Sequence, residues 1–495
     1  MKRMFFILAA TALLLASCDQ PTDSPKAPAG PTISVPTTLA GPTISVPTTL
    51  GDAPGIATGF GTGGVATFGS SGKTTSIFRV RVDSSNRILA IQNEMSIGQG
   101  GSISTTKLVR FTEAGSLDTS FGSGGYFVPP TVATIATALG VTTSGSPYVG
   151  FEESAVDADG SVYLSGQLYS GVYSSATLYT AFLVKVTSTG SLDTSFGTNG
   201  YLNLGNVDKM AVVHSLASGV VVSFKSGSTY ATIVEKVSAA GVAGPQCTVE
   251  GVPTGQTLNV AVPTNGQTGE YSNPVNSLLS PDGKYLYVPV YLVTTASSAL
   301  TRTLKVAKVD LTGNTPALVS AYGTSGYAKT DLTPYSSSYG FNISGGNVVD
   351  DDGNVIILAQ SRSLASGSGS QTSAGFRLVR FKADGTYDTA FDSAYHYPTG
   401  DVSPVSALLA GGKYVMGGVY RATGSSSTSG CLIRFNPTTG VQDTGYGTNG
   451  ILTPLSSLNA SSSITSLTLD RGSILTVGST KAASSSWSTV MVRLQ

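Results

Sequence analysis

The chain has 495 residues, with 28 basic and 28 acidic side chains, so no net charge draws it to nucleic acid or marks a solvating acidic tail. Hydrophobic residues reach 40%, which excludes global disorder, while charged residues make up only 11%. With 60 glycines and abundant serine and threonine, the composition fits an all-β protein with many turns and neutral polar surfaces.

In chain order, Lys2 and Arg3 precede an apolar run from Met4 to Ala16. That run is short for a membrane span, which needs about 20 residues, and it has the form of an export signal. It ends in Leu15-Ala16-Ser17-Cys18, which resembles the bacterial lipobox. The resemblance implies a signal peptide over 1–17, cleavage before Cys18 and a lipid on the Cys18 thiol. The partner at this end would then be a membrane of the bacterial cell envelope, outside the cytoplasm, held by several acyl chains. Asp19 leaves open which membrane. Residues 18–54 read as a tether: AGPTISVPTTL stands at 29–39 and again at 40–50. Such proline-rich chain extends by about 3.1 Å per residue.

Residues 55–495 carry a repeat. Its clearest copies are LVRFTEAGSLDTSFGSGGYF from Leu108 and LVKVTSTGSLDTSFGTNGYL from Leu183. Weaker copies start at Val306, Leu378 and Leu432, a degenerate one at Ile233, and a truncated one at Val490. Each follows an apolar strand, a turn rich in Asp and Gly, and a second apolar strand, as in 154–169, 276–292 and 347–360. Counting the basic residue of the strand gives Arg110, Lys185, Lys236, Lys308, Arg380, Arg434 and Arg493, hence seven units of about four strands.

The last unit stops before its FGxxG strand. The missing piece stands at the other end, as Gly59-Phe60-Gly61-Thr62-Gly63-Gly64-Val65. The expected fold is an all-β, seven-bladed β-propeller closed by pairing of this N-terminal strand with the C-terminal blade, which removes exposed sheet edges.

The LDTSFGxxG sentence with upstream DG hairpins resembles the delta-60 β-propeller repeat of bacterial surface and envelope proteins. The resemblance spans roughly 55–495 and blurs in the third unit, where Gly244-Pro245-Gln246-Cys247 puts the last strand in question. It implies architecture and no particular activity. Within the motif, Leu117 and Phe121 suit a core between units, and Gly122 and Gly125 suit a turn. Asp118 and Asp193 are placed to neutralise the in-register basic residue; Val319 stands at that position in the fourth unit. The rival reading has the seven basic residues lining a pore for an anion.

Motifs for catalysis are weak. His214 and His396 are isolated, no G-x-S-x-G elbow, P-loop or dinucleotide fingerprint is present, and Trp487 is the sole tryptophan. No catalytic, cofactor-binding or metal residue is assigned. Glu152-Glu153 and Asp350-Asp351-Asp352 are acidic clusters that read as hairpin-turn residues, with polysaccharide hydrolysis or lysis as the alternative. DADG at 157–160 and DDDG at 350–353 lack a full calcium ligand ladder. Cys247 and Cys431 could pair in an oxidising compartment, but the register puts them in separate units. Tyr169, Tyr173, Tyr179, Tyr335 and Tyr339 are expected in loops, where they suit a sugar-stacking or protein-binding face. The expected function is a monomeric, non-catalytic envelope module for a protein or glycan ligand, with a purely structural surface protein as a further alternative.

Overall fold

The computed structural model describes residues 54–495 except 69–73, 99–100, 172–178, 228–230, 251–268, 273–276, 297–298, 333–340, 344, 365–370, 392–400, 423, 457, 459–460 and 482–486. By its contacts the chain divides into Met1–Ile44 and Ser45–Gln495, and the described residues belong to the second unit. Cys18 and its tether lie outside them. Among the described residues are 29 strands and one helix, an all-β architecture as expected.

Val65–Phe68 (β1) is followed by a four-stranded antiparallel sheet of Thr74–Val82 (β2), Ile88–Gly98 (β3), Gly101–Phe111 (β4) and Tyr126–Phe127 (β5). The helix, Val132–Leu139 (α1), lies in the connection to the next sheet and had no counterpart in the repeat pattern. Thr131 caps its first turn by accepting from the Thr134 amide, and it buries Ile135, Ala136 and Leu139.

Tyr148–Val156 (β6), Val162–Tyr169 (β7), Tyr179–Val186 (β8), Tyr201–Leu216 (β9), Gly219–Ser226 (β10), Thr232–Ser238 (β11) and Ala243–Glu250 (β12) form one seven-stranded meander. It holds two repeat units because β9 serves both. Its first part pairs with β8 and its second part with β10. The doubtful last strand of the third unit is present as β12, with Cys247 opposite Val234 of β11.

Gly269–Ser272 (β13), Leu278–Leu279 (β14), Tyr285–Ala296 (β15), Ala299–Asp310 (β16), Ala317–Leu318 (β17) and Tyr327–Asp331 (β18) form a six-stranded sheet around the β15–β16 hairpin. Phe341–Ile343 (β19), Val348–Val349 (β20), Val355–Leu364 (β21) and Gln371–Phe381 (β22) form the next. Asp401–Ala410 (β23), Lys413–Arg421 (β24), Ser429–Phe435 (β25) and Ile451–Leu452 (β26) follow. The last sheet has the order β1, then Ser488–Leu494 (β29), Ser473–Lys481 (β28) and Ser461–Asp470 (β27). Val65 faces Val492 and Phe68 faces Thr489 across the antiparallel pair.

Apolar side chains from neighbouring units interlock. Leu89 and Phe121 pack with Phe151 and Phe182. Tyr163 and Phe196 pack with Val213 and Val222, Val221 and Val234 with Leu286 and Val309, and Tyr287 and Tyr322 with Val355 and Phe381. Ile356 and Phe376 meet Tyr414 and Ile433, and Val415 and Tyr446 meet Ile464 and Val492. Finally Leu475, Met491 and Phe60 pack with Ile77 and Val109 of the first sheet. The first strands of the units also lie against one another: β27 on β2, β2 on β6, β6 on β9, β14 on β20, β20 on β23, and β23 on β27.

The repeat motif is the joint between sheets. Arg110 is 3% exposed. Its Nε donates to Asp118 Oδ2 at 2.8 Å. Its guanidinium lies 4.4 Å from the Phe121 ring centroid, and its Nη1 donates to the Ser188 carbonyl in the next unit. Arg380 repeats this with Asp388, Phe391 and the Pro437 carbonyl. Arg434 repeats the first two contacts with Asp443 and Tyr446. Lys185 stands 3.7 Å from Asp193. In the fourth unit Lys308 sits among Tyr285, Tyr287 and Tyr322 instead, and in the third Lys236 donates to the carbonyls of Leu311 and Gly313. The aspartate pairing thus operates in the units that carry the motif. Burial pushes the Asp118 carboxyl up, but hydrogen bonds from Ser120 and the Arg110 charge outweigh this and hold it below its usual value. Residues so engaged do not form a pore lining, which corrects the rival reading.

The N-terminal segment supplies these contacts to the last unit. Arg493 lies 4.6 Å from the Phe60 ring centroid. The Ala57 amide donates to the Arg493 carbonyl at 2.9 Å, as Asp118 does to Arg110 at 3.0 Å. The Gly61 amide reaches the Ala114 carbonyl at 2.8 Å, as Gly122 reaches Thr189 at 2.8 Å. Gly122 has φ +53, and a Cβ there would stand 2.1 Å from the Tyr126 carbonyl oxygen, so the turn admits only glycine. Ala57 stands where the motif has aspartate, and Asp470 of β27 replaces it by accepting from Arg493 Nε at 2.6 Å.

Arg110→Met strands the Asp118 carboxylate and should cost about 3 kcal/mol, read as a lower melting temperature; Lys284→Ala, at an exposed pair, should leave that temperature unchanged. Phe60→Ala should cost about 3–5 kcal/mol, a core-sized loss from a residue near the start of the domain.

Candidate functional site

Polar side chains gather on β2, β6 and β9, with Ser277 just before β14. On β2 the register shifts between Ile77 and Val80. This bulge sets Arg79 at φ +132, a strained backbone for a residue with a side chain. A matching shift between Phe151 and Glu153 bulges β6 at Glu152. Glu153 is 5% exposed and accepts from both Arg79 and Arg81, the latter at 3.4 Å. Arg81 also donates to the Ser154 and Val80 carbonyls. The arginine side chains remain 32% and 37% exposed.

His214, on β9, continues this arc. Its Nε2 is 3.1 Å from Ser277 Oγ, and Ser223 Oγ donates to the same serine at 2.8 Å. Burial and then the positive charge of Arg81 push the His214 imidazole down to about 4, so it is neutral near pH 7. Histidine reads as isolated in sequence, yet folding places it beside a cation and two hydroxyls.

A second feature lies at the end of β6. Tyr148 is 50% exposed. Its ring is 5.1 Å from that of Tyr169, which is 6.0 Å from that of Tyr179. The hydroxyls of Tyr148 and Tyr179 are 3.3 Å apart. Tyr169 ends β7 and Tyr179 opens β8, so these two belong to strands, which corrects their assignment to loops. Tyr173, Tyr335, Tyr339 and His396 lie outside the described residues.

The other acidic candidates serve turns. Asp350 accepts from the Asn354 amide at 2.7 Å and from its side chain at 2.8 Å. Asp159 accepts from the Ser161 amide at 2.7 Å, and Asp157 from the Ala158 amide at 2.8 Å. Asp351 and Asp352 are exposed at the same hairpin, on a different sheet from Glu152 and Glu153. Cys247 and Cys431 are both free thiols, on β12 and β25. A cleft of about 520 Å³ lies where Ala57–Phe60 meets Glu113, Arg471 and Arg493. Its charges are already paired, Arg471 with Glu113 and Asp470.

Arg79, Arg81, Tyr148 and Ser277 belong to no recognisable sequence motif. The alternation Phe78-Arg79-Val80-Arg81-Val82 was a usable signal, since it charges one face of an otherwise apolar strand. With its imidazole lowered to about 4 against an unfolded value near 6.5, His214 takes up a proton more readily when unfolded. Its contribution to stability is therefore complete above pH 6.5 and is lost as pH falls toward 4. The His214 ring proton should titrate near pH 4 by NMR, and His214→Gln should remove that part of the acid dependence.

A family model described as a domain of unknown function (DUF5122), β-propeller, matches residues 97–121. No curated protein matches the chain. Among solved structures, the chain is similar to Trypanosoma rangeli sialidase in complex with sialic acid, at 13% identity and a TM-score of 0.38. That alignment covers 87% of this chain and 56% of the sialidase chain. The WD40 domain of SCAP from fission yeast aligns at 8% identity and a TM-score of 0.32, covering 87% of this chain and 94% of that one.

Proposed function

We propose that the protein is a lipid-anchored envelope protein whose domain is a closed seven-bladed propeller that binds a glycan without catalysis. The anchor rests on the Leu15-Ala16-Ser17-Cys18 signal and its charged and apolar lead. Seven blades rest on the seven in-register basic residues and on β9 serving two units. Closure is supported by the β1–β29 pairing and by the joint that Phe60 completes around Arg493. Such a domain has no open sheet edge and functions as a monomer.

The observation that carries the binding reading is Tyr148, half-exposed against Tyr169 at the end of β6. An amphipathic ring held by neighbouring rings offers a rigid flat face to the apolar side of a sugar. A hydrolase or lyase is favoured less, because Glu153 commits its oxygens to two arginines.

A glycan array is the direct test. Tyr148→Ala should weaken the strongest hits on the order of tenfold. Binding that is unchanged by this variant, or a pull-down from envelope extract that yields a protein partner in place of any glycan, overturns the reading. Thr67→Cys with Val490→Cys should form an intrachain disulfide, since these residues face each other across β1 and β29. Cys18→Ser should move the protein from the membrane to the soluble fraction.

A further inference from the structure

We propose that Arg79 is an acid-recognising residue, so that the ligand is a glycan bearing a carboxylate, such as a hexuronate. This deepens the glycan reading above and rests on it.

Three observations carry the inference. Arg79 directs only its Nε to Glu153, which leaves its two Nη groups as a fork on a side chain one-third exposed. A guanidinium fork of this kind matches a carboxylate in a two-bond planar geometry. Second, the backbone at Arg79 is held at φ +132 on a bulge, so the strand aims the side chain at a conformational cost. Third, the neighbouring charges are already committed. Glu153 is shared with Arg81, whose remaining donors go to backbone carbonyls. Glu152, exposed on the β6 bulge, has an interaction of its own. His214 beside Arg81 is neutral and, with Ser277, offers hydrogen bonding without charge.

The same strand links this fork to the aromatic face. Glu153, Arg79's partner, lies on β6 five residues from Tyr148, about 16 Å along an extended strand. A linear acidic glycan spans that distance, with one ring on Tyr148 and a carboxylate at Arg79.

The test compares oligomers of glucuronate with the matching neutral glucose oligomers by titration calorimetry on the full chain. The wild type should prefer the uronate by on the order of tenfold, the value of a charge-assisted contact, and added salt should narrow that margin. Arg79→Gln should abolish the preference, and Arg79→Lys, which keeps the charge but not the fork, should restore part of it. Tyr148→Ala should weaken both oligomers alike. Equal binding of the two oligomers by the wild type, no binding of either, or a preference that survives in Arg79→Gln overturns the proposal. A uronate preference that persists in Tyr148→Ala with undiminished affinity removes the tyrosine reading and leaves the arginine one standing. Melting temperatures of both Arg79 variants identify a variant that has lost its fold, and the salt dependence of the wild type then carries the test.

Discussion

A buried guanidinium, held between a carboxylate on its own sheet and a carbonyl on the next, is the contact on which this architecture depends. Neighbouring sheets pack through apolar clusters, and apolar packing by itself is not directional. Arg110 and Arg380 supply the direction. The Nε bond to the motif aspartate fixes the head of the side chain, the aromatic ring supports its flat face, and Nη1 reaches the turn of the following unit. The cation is fully paired, which offsets the desolvation that burial imposes. Lysine reaches the equivalent carbonyls in the third and fourth units, at 3.0 Å from Lys236 and 3.5 Å from Lys308, without the motif aspartate. The joint therefore tolerates loss of the carboxylate when the charge remains close to solvent or to tyrosine rings.

The same contact joins the segment around Phe60 to the last sheet. Phe60 and Gly61 rebuild, from the N-terminal side, what Phe121 and Gly122 build inside the first unit. Only the aspartate is missing, and Asp470 fills its role from the hairpin of the last sheet. Burial raises the Asp470 carboxyl even though Arg493 pulls it down. Beside this pair, Phe60, Leu475 and Met491 share one apolar cluster.

On β6, β7 and β8 the tyrosine cluster and the packing motif lie at opposite ends. The motif turns and their aspartates occupy one end of the sheets and are used up in packing. Tyr148, Tyr169 and Tyr179 stand at the other end of β6, β7 and β8, and the bulges on β2 and β6 fall between the two. Bulges turn side chains out of the regular alternation. In this domain they turn Arg79 and Glu152 out of a face that otherwise alternates.

The sequence by itself determined the all-β class, the recurring basic positions and the likeness of the segment around Phe60 to the repeat motif, because each is a local pattern that recurs. It also marked the Asp-Gly hairpins, whose turn chemistry is complete within a few residues. It did not reveal the shared strand β9, since a strand that serves two units leaves no mark in either. Nor did it reveal α1, which interrupts the period once and is held by capping and burial against one sheet. Only the tertiary structure decided which polar residues meet. Arg79, Glu153, His214 and Ser277 are separated by 61 to 74 residues between neighbours, and their encounter depends on the angle between sheets, which no local pattern encodes.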